Sequence, residues 1–176
     1  VRDLMEREAK AQSRKDQLRS IYEGCYEFAL PQRNLYDGNY ESNTAGQRKM
    51  GRVFDSTAIS ATQRFANRIQ AGLFPPQKQW CRLETGSGIP EAQTPQAQAA
   101  LDAYTTRMFE VMRQTNFDLA MGEFLLDLCV GTAVMMVTPG DEATPIRFTP
   151  IPQYLVSIEE GSFGNVDNVY RKIRMK

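Results

Sequence analysis

The side chains that most often carry enzymatic chemistry are absent from this sequence or poorly spaced for it. None of the 176 residues is histidine, which excludes Ser-His-Asp, Cys-His and HExxH sites because each depends on an imidazole. The sequence also has no GxxxxGK[ST] phosphate loop and no GxSxG nucleophile elbow. We therefore predict no catalytic residue, no metal site and no cofactor, and we expect that the protein is not an enzyme.

The remaining reactive side chains have ordinary structural interpretations. Cys25, Cys81 and Cys129 lie far apart in no metal-ligand spacing, which indicates free thiols. Cys25 and Cys129 fall on apolar helical stripes, so we expect both to be buried. The carboxylate pairs at 141–142 and 159–160 adjoin turns, which favours a solvated surface over a metal site. A hydrolase site of Asp and Glu residues assembled across the fold stays open as an alternative.

Charge is balanced over the whole chain but unevenly distributed along it. Lys and Arg total 21, as do Asp and Glu. Residues 31–90 carry eight basic and four acidic side chains, whereas residues 91–176 carry seven and eleven. This polarity favours head-to-tail self-association, in which a basic surface of one copy faces an acidic surface of the next. No stretch approaches the roughly 20 apolar residues of a membrane span, so no membrane partner is expected.

The elements that would position these side chains are helices first and strands last. Apolar residues at helical spacing predict about four helices, at 2–30, 55–75, 95–115 and 116–131. Residues 31–54 show no periodicity and read as a long basic loop, of a length typical of functional or disordered segments. We therefore divide the chain into an amino-terminal helix and loop, 1–54, and a core, 55–176.

After residue 131 the pattern changes to short runs rich in β-branched and aromatic residues. Four such runs, AVMMVT, IRFTPI, YLVSIEE and NVYRKIRM, predict strands. Pro139-Gly140 predicts the first turn, and EGSFGN at 160–165 predicts a hairpin turn. The predicted fold class is α+β, with helices followed by a small antiparallel sheet.

Four segments carry a resemblance to a known family. They are YEFALPQRNLY (26–36), RVFDSTAISATQRFANRIQAGLFPPQKQWCRLET (52–85), FDLAMGEFLLDLCVGTAVMMV (117–137) and YLVSIEEGSFGNVDNVYRKIR (154–174). In this order and spacing they resemble the head-to-tail connector, or portal, protein of short-tailed bacteriophages. The most specific parts are the tyrosine-rich helix entering "LP", the "DST" helix closing in "LFPP" before a tryptophan, and the "FGNV" turn.

The resemblance implies a structural subunit of a homo-oligomeric ring, of about twelve copies, at one capsid vertex of the virion. Double-stranded DNA would pass through its channel during packaging and ejection, and the terminase, capsid and tail proteins would be its partners. Subunits of that family are much longer, so the resemblance implies an amino-terminal fragment from the outward-facing wing. Such a protein is made in the cytoplasm of the host bacterium and has no enzymatic activity of its own.

Six residues are candidates for contact with a neighbouring subunit. They are Arg48, Lys49, Arg52, Leu73, Phe74 and Trp80. The three basic residues end the long loop, where a partner would order them. For Leu73, Phe74 and Trp80, packing in the core is favoured over contact with a neighbouring subunit. The competing hypothesis is a helical adaptor that binds nucleic acid through the basic segment 31–82.

Overall fold

The computed structural model describes residues 2–33, 53–86 and 94–172, in which five helices precede four strands. The α+β class is thus confirmed. The helices are α1 (Arg2–Gln17), α2 (Arg19–Ala29), α3 (Thr57–Leu73), α4 (Thr94–Arg113) and α5 (Phe117–Val130). The strands are β1 (Val134–Pro139), β2 (Ile146–Ile151), β3 (Val156–Glu160) and β4 (Val166–Arg171). Single 3-10 turns occupy Pro31–Arg33 and Gln153–Leu155.

The helix predicted over residues 2–30 is two helices rather than one. The helical run is interrupted at Leu18, whose N–H donates to the carbonyl of Lys15, three residues back. The reason is tertiary, because the two halves pack on different partners. α1 lies against β3, whereas α2 lies against α3 and α5. A continuous amphipathic pattern in the sequence did not reveal this change of partner.

The central helices match the predicted ranges closely because their ends are chemically marked. The Asp55 carboxylate accepts hydrogen bonds from the N–H and the hydroxyl of Thr57, at 3.0 and 2.8 Å. These bonds, the hydroxyl's foremost, lower the pKa of Asp55. At its other end, α3 closes before Pro75-Pro76, which cannot continue a helix. Residues next to both ends of α3 therefore mark its boundaries.

The core lies where α3 crosses α5 and β2 covers their end. Its buried members are Ala66 of α3 and Phe117, Met121 and Leu125 of α5. Half-buried side chains from α4, the segment after α3 and both strands of the first hairpin surround them. α5 thus has α3 and β2 as its principal neighbours.

The four strands pair as two separate hairpins instead of one sheet. β1 and β2 are antiparallel from Val134 opposite Ile151 to Pro139 opposite Ile146. β3 and β4 are antiparallel, with an irregular register at Glu159/Glu160. Both predicted turns are confirmed. In the second turn Gly164 has φ of +74°, a conformation that glycine adopts without steric cost.

Candidate functional site

The predicted interface residues Phe74 and Trp80 lie at the edge of the core. The Trp80 ring stacks on Phe117 with centroids 5.9 Å apart and meets Phe74 edge-on at 5.0 Å. It also meets Phe109 of α4 edge-on at 5.5 Å. Both side chains remain half-exposed. They therefore join α4 to α5 while still offering part of their surface to the outside.

The other predicted residues have different locations. Leu73 ends α3 with 58% of its surface exposed, so it is accessible to a partner. Arg48, Lys49 and Arg52 lie outside the described residues. The structure thus brings Leu73, Phe74 and Trp80 together at the carboxyl end of α3. Contact of all six residues with a neighbouring subunit stays a prediction.

A buried polar cluster joins α5 to the end of the described segment 2–33. Asp127 of α5, only 1% exposed, accepts hydrogen bonds from the Tyr26 hydroxyl at 3.2 Å and the Arg33 guanidinium at 2.7 Å. Burial raises the pKa of Asp127, while the Arg33 charge and the Tyr26 bond oppose that rise. Since Arg33 also reaches Glu123 at 3.4 Å, it holds two acids of α5. The cluster therefore anchors the chain at Arg33 on α5.

Sequence reasoning did not single out this cluster. Asp127 is the only charged residue in the apolar run 124–130 of α5. A carboxylate at such a position is rarely fully buried without a partner. That signal could have identified Asp127 as a buried polar anchor. Its partners, 101 and 94 residues away along the chain, could not have been found this way.

A second polar cluster docks α1 onto the β3–β4 hairpin. Glu159 accepts hydrogen bonds from Arg7 at 3.0 Å, the Tyr170 hydroxyl at 2.7 Å and Asn168 at 3.1 Å. The bond from Arg7, followed by that from Tyr170, lowers the pKa of Glu159. An ion pair between Arg14 and Glu160 at 2.9 Å adds to the contact. The carboxylate pair 159–160 is therefore engaged by α1.

The outer face of α2 is apolar and exposed. Leu18, Ile21 and Phe28 have 44%, 61% and 45% of their surfaces accessible. Cys25 lies in the same stripe and is exposed, as is Cys129 of α5. The prediction that both thiols are buried is thus wrong. Helical periodicity places Tyr26 in one stripe with Leu18, Ile21 and Cys25, but Tyr26 is the member of α2 that is buried in the core.

The described residues offer little that resembles an active site. A cleft of about 560 Å³ is open to solvent and is lined by Trp80, Arg82 and Asp102, among others. The Asp102 carboxylate in this cleft is already paired, because Arg82 donates two hydrogen bonds to it at 2.9 and 3.0 Å. The bond from Arg82 lowers the pKa of Asp102. In the described ranges no group of three or more Cys, Asp or Glu could hold a metal ion.

The five described helices differ from membrane-spanning helices in their combination of length and composition. None of them combines the length and the apolar character needed to cross a bilayer.

Comparison with known proteins identifies one family. A family model described as bacteriophage head to tail connecting protein matches residues 1–176, the whole sequence. No curated protein matches the chain. The family match agrees with the resemblance seen in the four sequence segments.

Proposed function

The chain belongs to the bacteriophage head to tail connecting protein family, and from that premise we propose that it is a subunit of a ring-shaped portal. The ring lies at a capsid vertex of the virion and forms the conduit through which double-stranded DNA is packaged and ejected. Its partners are further copies of itself, about twelve in all, with terminase, capsid and tail proteins. Its role is structural and involves no catalysis.

The observation that carries this proposal is the exposed apolar face of α2, formed by Leu18, Ile21, Cys25 and Phe28. Contiguous exposed apolar side chains on a helix are typical of protein interaction surfaces. Polar pairs such as Arg19–Glu23 at 2.6 Å flank the stripe, as in interfaces with an apolar centre and a polar rim. A homo-oligomer would remove this face from water.

We place the remaining interface contacts on the six residues expected from the sequence. Leu73 supplies an accessible apolar side chain, and Phe74 and Trp80 supply the exposed edges of the aromatic cluster. Arg48, Lys49 and Arg52 supply positive charge from the segment that follows the Arg33 anchor. On this view residues 1–54 act mainly in assembly, and residues 55–176 form the wing-like body of a longer subunit.

Electron microscopy of the full-length protein tests the ring directly. End-on views in negative stain should show rings with a central channel, with twelvefold symmetry expected. Compact single particles at concentrations that favour assembly would contradict the proposal.

A charge reversal tests the basic residues of the loop. The Arg48→Glu/Lys49→Glu/Arg52→Glu protein should give fewer rings in size-exclusion chromatography with light scattering. The matched control is Arg107→Glu/Arg113→Glu/Lys172→Glu, which reverses three exposed charges elsewhere and should assemble normally. An unchanged ring yield in the first variant would remove these residues from the interface.

One observation favours a second candidate function, an adaptor that binds nucleic acid through residues 31–82. Arg64 and Arg68 are exposed on one side of α3, and neither forms an ion pair within the described part of the chain. An adaptor should bind DNA with an affinity that falls steeply as salt increases. A fluorescence anisotropy titration without binding at low salt would exclude it.

A further inference from the structure

The outer face of α3 is basic and free of acids. The 17 residues of α3 include no Asp or Glu. Arg64 and Arg68, four residues apart, lie about 6 Å apart along the axis, on the side opposite the buried Thr62 and Ala66. Exposed Gln63 and Asn67 flank them. The face therefore presents two guanidinium groups together with neutral hydrogen-bonding side chains.

These two arginines differ from most other arginines of the described residues. Those others include six, from α1 to α4 and the segments between, that lie within 4 Å of a carboxylate: Arg7, Arg14, Arg19, Arg33, Arg82 and Arg107. Arg64 and Arg68 have no such neighbour in the described ranges. Their positive charge is thus left unneutralised within the subunit, which favours an external partner that is negatively charged.

A complementary surface exists on the same chain, at the tip of the β1–β2 hairpin. Asp141 and Glu142 are both exposed there. Arg147 approaches Asp141 only at 3.4 Å, between side chains that are 58% and 79% exposed, and such pairs contribute little. Glu142 has no ion-pair partner within the described residues. The tip therefore retains negative charge for an external contact.

The hairpin tip is held in a defined shape. Pro139 and Pro145 bracket the turn, the Gly140 N–H donates to the Pro145 carbonyl at 2.9 Å, and the Thr144 N–H donates to the Asp141 carbonyl at 3.1 Å. A side chain at Gly140 would collide with the Thr144 carbonyl oxygen, so the two arms of the turn are close together. A rigid acidic tip loses little entropy when it docks.

The basic face and the acidic tip belong to one rigid framework. α3 packs on α5 through Ala66, while β2 packs on α5 through Phe148, whose ring lies 5.1 Å from Phe117. Asn116 also bonds both backbone polar groups of Phe148. The two surfaces are thus different parts of the subunit held at a fixed separation, which is what a heterologous, ring-forming contact requires.

We propose that the Asp141-Glu142 tip of one subunit docks on the Arg64-Arg68 face of α3 in the next subunit. The proposal rests on the proposed ring and assigns it one interface. Carboxylates match guanidinium groups in geometry as well as charge. DNA is a poorer partner for this face, because neutralising only two phosphates gives a weak salt-dependent affinity. The contact sets the register between subunits and speeds their encounter.

Reciprocal charge reversal in the full-length protein tests the pairing. The Arg64→Glu/Arg68→Glu and Asp141→Lys/Glu142→Lys proteins should each need at least about tenfold more protein to form rings, a penalty of about 1.4 kcal/mol per tenfold. A 1:1 mixture should restore assembly, because alternating copies place Glu against Lys at one contact and Arg against Asp-Glu at the next. Misfolded proteins could not rescue each other in this way.

Mass photometry across a dilution series provides the measurement, with Arg107→Glu/Arg113→Glu on α4 as the matched control. Normal rings from both charge-reversed proteins, while the wild type also forms rings, would overturn this pairing and leave the portal proposal standing. Failure of the mixture to assemble would also overturn it. A wild type that never forms rings would overturn both proposals. DNA binding lost from Arg64→Glu/Arg68→Glu, with rings intact, would reassign the face to nucleic acid.

Discussion

The two halves of the described structure are held together by different forces. Around α5, aromatic and aliphatic side chains bury Phe117, Met121 and Leu125. Where α1 meets the β3–β4 hairpin, buried hydrophobic residues are few, and the contact depends on Arg7–Glu159, Arg14–Glu160 and the bond from Ser157 to Gln12 at 2.6 Å. The first half is a packed core, whereas the second is a polar joint.

The difference predicts that the stability of the polar joint depends on pH and salt more than that of the packed core does. Apolar packing changes little with pH or salt, whereas exposed ion pairs are screened by salt and lost when a partner is neutralised. We therefore expect that α1 detaches from the hairpin at a lower free-energy cost than unfolding of the α3–α5 core. We expect hydrogen exchange to show lower protection in α1 and β4 than in α5. Equal protection throughout would contradict this division.

The largest expected effect comes from breaking the packed core. Phe117→Ala removes the ring that contacts Phe74, Trp80 and Phe148. We expect a loss of about 3–5 kcal/mol in the free energy of unfolding, from lost transfer energy and the cavity left behind. Urea unfolding measures it. Phe163→Ala, which truncates a side chain that is 93% exposed, is the control, and a similar loss there would refute the assignment of the core.

An intermediate effect is expected at the polar anchor within the packed half. Asp127→Asn keeps the size of the side chain but leaves one acceptor oxygen for two donors, the Tyr26 hydroxyl and the Arg33 guanidinium. We expect a loss of about 1–3 kcal/mol, typical of hydrogen bonds to charged groups in buried sites. Asp127→Leu/Arg33→Met should recover part of this loss, because replacing both partners leaves no unpaired charge. A double variant less stable than Asp127→Asn would argue against this account.

The smallest effect is expected at the Arg7–Glu159 pair of the polar joint, as a change in how Tm depends on pH. The pKa of Glu159 is lower in the folded protein than in the unfolded chain. The pair with Arg7 therefore stabilises the protein fully above the ordinary glutamate pKa of about 4.3. This contribution is lost as the pH falls through the lower pKa of the folded state. Glu159→Gln should therefore flatten the acid side of a plot of Tm against pH. An unchanged acid limb would contradict the polar joint.

Asp127 should show the opposite sign. Its raised pKa means that its contribution is most favourable at low pH and declines as the pH rises through the folded value. Glu159 and Asp127 therefore contribute pH dependences of opposite sign to the free energy of unfolding. In Asp127→Asn, the fall in Tm with rising pH that Asp127 causes should disappear. The fall in Tm at acid pH that Glu159 causes should remain. The same Tm scan measures this, and an Asp127→Asn profile parallel to the wild type would contradict it.

Local chemistry in the sequence determined much of this protein. The Asp55–Thr57 hydrogen bonds, Pro75-Pro76 and the Gly164 turn each set backbone conformation through neighbouring residues. Apolar periodicity indicated the ranges of α3 to α5 and the turn residues indicated both hairpin turns, so the α+β class was predictable. The absence of histidine limited the possible chemistry without any structure. The order of the four segments indicated the family.

Features that depend on contacts between residues distant in the sequence became visible only in the tertiary structure. The break at Leu18, the exposure of Cys25 and the separation of the strands into two hairpins all follow from which element packs against which. The Tyr26–Asp127–Arg33 cluster joins residues about a hundred positions apart. Periodicity shows that a helix has an apolar face, but burial of that face depends on the neighbours that the fold provides.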